Sequence, residues 1–345
     1  MIKIYTDKSF LIKENKNLIF PLFHEMITTE NSPIHSSYCF VNTIEECEVL
    51  ILPLDINYFY QTRQAEIFKI FRNYALLHNK KLWVYSSGDT GITIKDNFIF
   101  VFKMADFRSH QNKQSVIMPV FIDDPLFTIY NDSLTFVSKT SKPIIGYVGH
   151  AKAGFKKWII TILIYLKENY LIAKGTIYSD YYRLYFSSHK RLKYLKIIQS
   201  SSQIVSKFIF RDKYRAGVKT VEDRTKTTLE FFDNVKNSQY TFCMRGGGNF
   251  SVRFYETLAM GRIPLFIDTD CVLPLENLID WTEYCLIIAD KNINEVNRKL
   301  ISFHNSITEE ELIKWQEKNR MIWENYLTRV SYFLHIHDLF IGQKL

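Results

Sequence analysis

The sequence has few cysteines: Cys39, Cys47, Cys243, Cys271 and Cys285, an odd, widely spaced set without a Cys-x-x-Cys pair. That pattern argues against a disulfide framework and a structural zinc site, so reduced, buried thiols are expected. Long apolar runs are also missing. The longest, Trp158–Leu166, is interrupted by Thr161 and flanked by lysines, and it falls far short of the ~20 residues that a membrane-spanning helix needs. The opening Met1-Ile-Lys-Ile-Tyr lacks the order of a secretory signal and reads as a strand, so the cytoplasm is the expected compartment. No short-period repeat or low-complexity tract is present.

What the sequence does have is enough apolar material for real cores. Hydrophobic residues make up 47% and aromatics 15% of 345 residues, which excludes disorder and predicts two domains of ordinary size. The net charge of +8 is uneven. Residues 1–140 hold 14 Lys and Arg against 15 Asp and Glu, leaving 30 against 21 for 141–345. Twelve basic residues fall between Arg183 and Lys226, against Asp212, Glu222 and Asp223. Such a surface attracts phosphates, acidic polymers or anionic lipid head groups, or is a well-solvated helix face.

Short apolar runs alternate with helical patterns. In the first half these are Ile2–Thr6, Val49–Leu54, a helix near Gln64–Leu77, Lys81–Tyr85 and Phe98–Phe102. The chain turns polar near Val137–Pro143, and the pattern then restarts. Strand Ile144–Val148, helix Phe155–Glu168, strand Gly175–Ser179 and a helical stretch Arg191–Ser206 come first. Helix Glu222–Val235, strand Tyr240–Met244, helix Phe250–Met260 and strands Ile263–Ile267 and Cys285–Ala289 follow. The expected fold class is α/β, two Rossmann-like doubly wound domains facing across a cleft. Residues 1–139 form the first and 140–320 the second, and a helical segment, 321–345, packs back on the first. Ligands in such sheets sit at the carboxyl ends of the strands.

Residues 240–268 read as strand, glycine loop, helix, glycine stop, strand. Gly246, Gly247 and Gly248 let backbone N–H groups approach an anion, and Asn249 is a suitable cap for the helix behind them. No Walker lysine is present. On that helix Phe250, Phe254 and Leu258 form one apolar stripe, while Arg253 and Glu256 lie about 60° apart on another face. A guanidinium suits a diphosphate and a carboxylate suits two ribose hydroxyls; the same pair also has the spacing of a surface ion pair.

The pattern Arg-Gly-x-Gly-x-x-Ser-x-Arg-x-x-Glu-x-Leu-x-x-Gly-x-Ile-Pro, starting at Arg245 and followed by Leu273-Pro274 and Ile279-Asp280-Trp281, resembles the exostosin-type glycosyltransferase signature. The likeness covers about 40 residues strongly, Tyr240 to Trp281. It implies a two-domain arrangement of the GT-B type and inverting transfer from a nucleotide sugar, often a uridine diphosphate sugar, without a catalytic metal. Animal and plant relatives are membrane-anchored; the absence of an anchor here points to surface polysaccharide synthesis in the cytoplasm of a bacterial or viral source. The resemblance places Arg245, Gly247, Asn249, Ser251 and Arg253 around the phosphates and Glu256 on the ribose. Arg211 and Arg215, in Phe-Arg-Asp-Lys-Tyr-Arg-Ala-Gly after an apolar run, are further candidate phosphate ligands or part of a surface basic loop. The acceptor is expected to be a glycan or lipid-linked glycan, with peripheral contact to an anionic membrane surface and no nucleic acid partner.

Inversion needs a general base. Asp89, in Ser86-Ser87-Gly88-Asp89-Thr90-Gly91 at the carboxyl end of strand Lys81–Tyr85, is the candidate, and it resembles an Asp-x-Gly of the family. Its alternative role is an Asp turn bonded to its own backbone. His24, Asp55 and Asp106 are the substitutes. Asp268-Thr269-Asp270 is an Asp-x-Asp, the motif by which another transferase class binds a divalent cation, so a metal-dependent transferase is one rival. A basic nucleic-acid-binding module is the other, without a recognition motif or interleaved aromatics. His335 and His337 fall on different helix faces, and His150 ends the first strand of the second domain.

Overall fold

The computed structural model describes residues 1–212, 217 and 220–343. The first half contains β1 (Ile2–Tyr5), α1 (Pro21–Thr28), α2 (Ile34–Ser37), β2 (Tyr38–Phe40), β3 (Val49–Ile51), α3 (Ile56–Gln61), α4 (Ala65–Leu77), β4 (Lys81–Ser86), β5 (Ile99–Lys103) and β6 (Ser115–Ile117). Its six strands pair in parallel in the order β2-β1-β3-β4-β5-β6. β5 is buried along its whole length, as a continuous Ile-Phe-Val-Phe run requires of a parallel strand covered on both faces.

The second half contains β7 (Ile144–His150), α5 (Phe155–Ala173), α6 (Ser187–Gln199), β8 (Val205–Arg211), α7 (Val221–Lys236), β9 (Tyr240–Met244), α8 (Val252–Ala259), β10 (Ile263–Asp268) and β11 (Leu286–Ala289). The parallel order is β11-β10-β9-β7-β8. Helices α9 (Val296–Ser306), α10 (Glu309–Ile322) and α11 (Arg329–Ile341) complete the chain. The α/β architecture with two parallel sheets expected from the sequence is the one found.

Two elements differ from expectation. The helix expected over Arg191–Ser206 stops at Gln199, where Ser200, Ser201 and Ser202 favour a turn, and the aromatic and β-branched residues that follow form β8. Gly175–Ser179 is not a strand. Gly175, at φ +72, ends α5, and the next residues dock on the first half: Tyr178 stacks on Tyr60 at 4.1 Å between centroids, and the Asp180 carboxylate accepts from Thr93.

The two halves share an interface that is apolar at its centre and clamped at its rim. Phe254 and Leu258 of α8, with Phe266, Trp281 and Trp323, join the hydrophobic cluster of the first sheet. α11 lies on the first half, where Tyr38 Oη donates to the Phe333 carbonyl at 2.6 Å and Tyr332 Oη to the Ile117 carbonyl at 3.0 Å. At the rim, Phe107 and Cys271 form an antiparallel bridge, and Arg108 makes a two-pronged ion pair with Glu276 at 2.7 Å.

Candidate functional site

The carboxyl ends of β4, β7 and β9 converge on the loop 245–251. Arg245 leaves the end of β9 almost fully buried, and its Nη2 donates to the Gly247 carbonyl at 2.7 Å. Its guanidinium lies 4.7 Å from the ring centroid of Tyr185 and 5.4 Å from that of Phe107, cation–π distances. Arg253, in the first turn of α8, donates to the Val148 carbonyl at 2.8 Å and lies over Tyr147 at 4.5 Å. That approach depends on Gly149: a Cβ there would stand 2.9 Å from Arg253 Nη2.

A third guanidinium joins them. Arg191 of α6 donates to the carbonyls of His150 at 2.8 Å and Arg245 at 2.6 Å. Arg191, Arg245 and Arg253 each have a buried Nε–H with no partner. Buried donors of this kind are rare unless something else satisfies them. Burial lowers the pKa of Arg191 and of Arg245, and the neighbouring charge of Arg253 lowers Arg191 further. Arginine is basic enough to stay charged under such pressure. A fourth, Arg183, stacks on Phe107 at 3.8 Å. Sequence inspection misses Arg191 and Arg183, because nothing within the basic run separates them from the lysines beside them.

Asp89, in the loop after β4, faces the glycines. A Cβ on Gly247 would stand 2.4 Å from its Oδ2, and one on Gly248 2.6 Å from its carbonyl oxygen. The Gly248 N–H donates to the Asp89 carboxylate, and Arg245 lies close enough to lower its pKa; desolvation is larger than both, so the carboxyl pKa is raised. Beneath the loop runs a buried ion pair, Lys103 Nζ to Asp106 Oδ2 at 3.1 Å. Gly91, at φ +65, leaves room for it, since a Cβ there would meet Lys103 Cδ at 2.6 Å. Asp89 is therefore a carboxylate already seated on backbone N–H of the glycine loop.

The other expected residues have various placements. Gly247 is exposed and Ser251, buried, is the N-cap residue of α8 without a side-chain cap bond. The expected cap, Asn249, is instead a clamp: α8 starts at Val252, and Asn249 Nδ2 donates to the carbonyls of Asp106 and Asp270, both at 3.0 Å, while Thr269 Oγ1 donates to its Oδ1 at 2.6 Å. Every polar atom of that amide is engaged. Glu256 is half-buried one turn beyond Arg253. Burial pushes the nearby Cys243 thiol up to about 12; Arg253 acts to lower it and Glu256 to raise it. Arg211 ends β8 in an ion pair with Glu230 at 2.6 Å and donates to the Thr227 carbonyl. Arg215 lies outside the described residues.

Among the substitutes for the base, Asp55 caps α3 and accepts from Ser87, Asp106 is paired with Lys103, and His24 sits on α1 beside Lys16 and Arg329. In the Asp-x-Asp, Asp268 accepts from the Cys271 N–H at 2.8 Å, and Asp270, at φ +70, accepts from Ser109 Oγ at 2.5 Å. Both therefore shape the interface rim. Among the described residues no group of three or more His, Cys, Asp or Glu side chains is arranged to hold a metal. The basic run is no single patch: Arg183 and Arg191 enter the site, Lys190 pairs with Asp290, and Arg211 with Glu230. A groove of about 890 Å³ between β8 and α7, lined by Lys207, Ile209, Leu229 and Asn237, contains none of the four arginines at the glycine loop.

Residues 183–303 match the family model of the Exostosin GT47 domain, a stretch that holds all four arginines, Arg183, Arg191, Arg245 and Arg253. An exostosin-1 homolog of Caenorhabditis elegans is 27% identical over 102 residues, 30% of this chain and 26% of that protein. A probable beta-1,4-xylosyltransferase of Arabidopsis thaliana is 27% identical over 77 residues, 22% of this chain and 19% of that protein. The matches thus span about a quarter or less of those relatives' lengths. A solved glycosyltransferase from Rickettsia africae aligns over 97% of both chains, with 10% identity and a TM-score of 0.40. By sequence the second half is similar to the exostosin-like glycosyltransferases.

Proposed function

We propose that the chain is a glycosyltransferase that moves a sugar from a nucleotide diphosphate carrier to a glycan acceptor, the diphosphate resting on Arg191, Arg245, Arg253 and the glycine loop. One observation carries the reading: three guanidiniums converge at the ends of β7 and β9, each with a buried, unpartnered Nε–H. Packing like charges together in a desolvated site is costly without an anion. The exostosin-like match over 183–303 supports the same chemistry.

In this reading the guanidiniums stabilise negative charge as the sugar–phosphate bond breaks. Preorganised donors aimed at such charge contribute roughly 3–4 kcal/mol each to the barrier. Glu256 accepts from the ribose hydroxyls. Asp89 takes the acceptor's proton as its oxygen attacks the anomeric carbon opposite the departing phosphate, which inverts the configuration. A carboxyl held by desolvation above its ordinary pKa is a stronger base for that task. The cations of the arginines take the place of a divalent metal, and uridine diphosphate is the expected carrier.

The test is binding and turnover with a panel of nucleoside diphosphates and their sugars. Arg191→Ala and Arg253→Ala should each weaken diphosphate binding by about ten- to a hundred-fold, the worth of a charged hydrogen bond. Transfer should continue undiminished in excess chelator. A diphosphate located away from the 245–256 segment in a soaked crystal ends the proposal, and loss of activity with chelator ends its metal-free part.

A further inference from the structure

Helix α5 is anomalous. Its sequence, FKKWIITILIYLKENYLIA, is apolar on most sides, yet none of its residues is buried and none belongs to a hydrophobic cluster. In the β7-α-β8 crossover the sheet is covered by α6, through Tyr194, Leu195 and Ile198. The inner side of α5 faces its own return segment, where Asn169 pairs with the backbone of Tyr182 through both N–H and carbonyl.

The outer side is a continuous apolar stripe. Phe155, Ile159, Leu163, Leu166 and Tyr170 follow one another at spacings of four, four, three and four, which keeps them on one helix face. All are exposed, Phe155 by 76% and Tyr170 by 64%. Trp158 edges the stripe, stacked between Phe155 and Phe186. Soluble chains seldom leave so long a contiguous apolar strip open to water.

The charges beside the stripe identify what covers it. Lys156 and Lys167 project on its flank, between it and the exposed Ile160 and Ile164, and Lys174 stands after the helix; Lys152, before it, is paired with Asp212 at 2.9 Å. Glu168, the helix's one acidic residue, is half-buried toward the inner side. A second copy laid antiparallel on the stripe would bring lysine flank against lysine flank. An anionic lipid surface instead accepts the apolar face among its acyl chains, the lysines at its phosphates, and Trp and Tyr at the boundary. No helix among the described residues is long and apolar enough to cross a membrane, so the mode is one of lying in the surface.

We infer that α5 is an interfacial helix that docks the protein on an anionic bilayer through Phe155, Trp158, Ile159, Leu163, Leu166 and Tyr170. Its position gives the docking a purpose. α5 starts five residues after β7 ends, near the Val148 carbonyl held by Arg253. Its return segment bonds to Gly91 and Thr93, beside Asp89. The helix thus spans the cleft mouth, so a lipid-linked acceptor would reach Asp89 from the bilayer; this last step rests on the transferase reading, whereas the docking does not.

The experiment is co-sedimentation of the full chain with phosphatidylcholine vesicles with and without phosphatidylglycerol, alongside uridine diphosphate titration. Binding should require the anionic lipid, and tryptophan emission should shift to the blue, a shift that Trp158→Phe removes. Leu163→Asp with Leu166→Asp, both at exposed positions, should reduce vesicle binding by at least about ten-fold and leave the circular dichroism and the nucleotide affinity unchanged. Failure of the wild type to prefer anionic vesicles, or a double variant that converts a dimer to a monomer with vesicle binding intact, overturns the docking. Vesicle binding without nucleotide binding leaves docking standing and removes the transferase reading.

Discussion

Desolvation acts on Asp89 and on the arginines opposite it in opposite directions, raising the carboxyl pKa and lowering those of Arg191 and Arg245. The raised pKa of Asp89 makes stability depend on pH. Because its folded pKa exceeds the unfolded one, the folded state holds its proton more tightly, and stability falls as pH rises through that interval. Asp89→Asn removes this titration. The variant should match the wild type at low pH and be equal or more stable near neutrality, as read by thermal unfolding across pH. Transfer should fall by about 10²–10⁴-fold, the worth of a general base. The wild-type rate should rise with pH through the raised pKa. A variant that loses activity and also unfolds earlier at pH 7 would mean that Asp89 is a structural clamp on Gly248.

At the scale of elements, Asn249 and Asp270 show how a motif can fold into a joint. The Asn249 amide ties the first half's Asp106 carbonyl to the second half's Asp270 carbonyl. Asn249→Ala takes this donor from the buried Asp106 carbonyl, while the Asp270 carbonyl keeps the Arg108 N–H at 3.0 Å, and should cost about 1–3 kcal/mol, read as a shift in denaturation midpoint at constant m-value. The sequence could not distinguish this role from capping, since the side-chain chemistry that caps a helix also clamps two loops. The central strands were legible because β5 and β9 are apolar on both faces, a pattern few other structures produce. β8 was not: an edge strand with Ser206 and Lys207 among its apolar residues reads equally well as helix. Arg245 and Arg253 were visible through the glycines between them. Arg191 was invisible, because its role depends on α6 aiming it at His150 and Arg245, a tertiary fact.

Across the whole molecule, the positive charge of residues 141–345 is divided between two tasks. Some of it surrounds the glycine loop, and some flanks the exposed stripe of α5, while Lys190 and Arg211 are neutralised by Asp290 and Glu230. The joints between the halves have a mechanical implication. The Phe107–Cys271 bridge, the Arg108–Glu276 fork, the Asn249 amide and the Tyr60–Tyr178 stack fasten the rim at separate points. Opening by a wide hinge would break them all together. The molecule should therefore behave as a riveted shell rather than a jaw, with the same X-ray scattering radius whether nucleotide is present or absent, and ligands should enter by rearrangement of small loops such as 86–91.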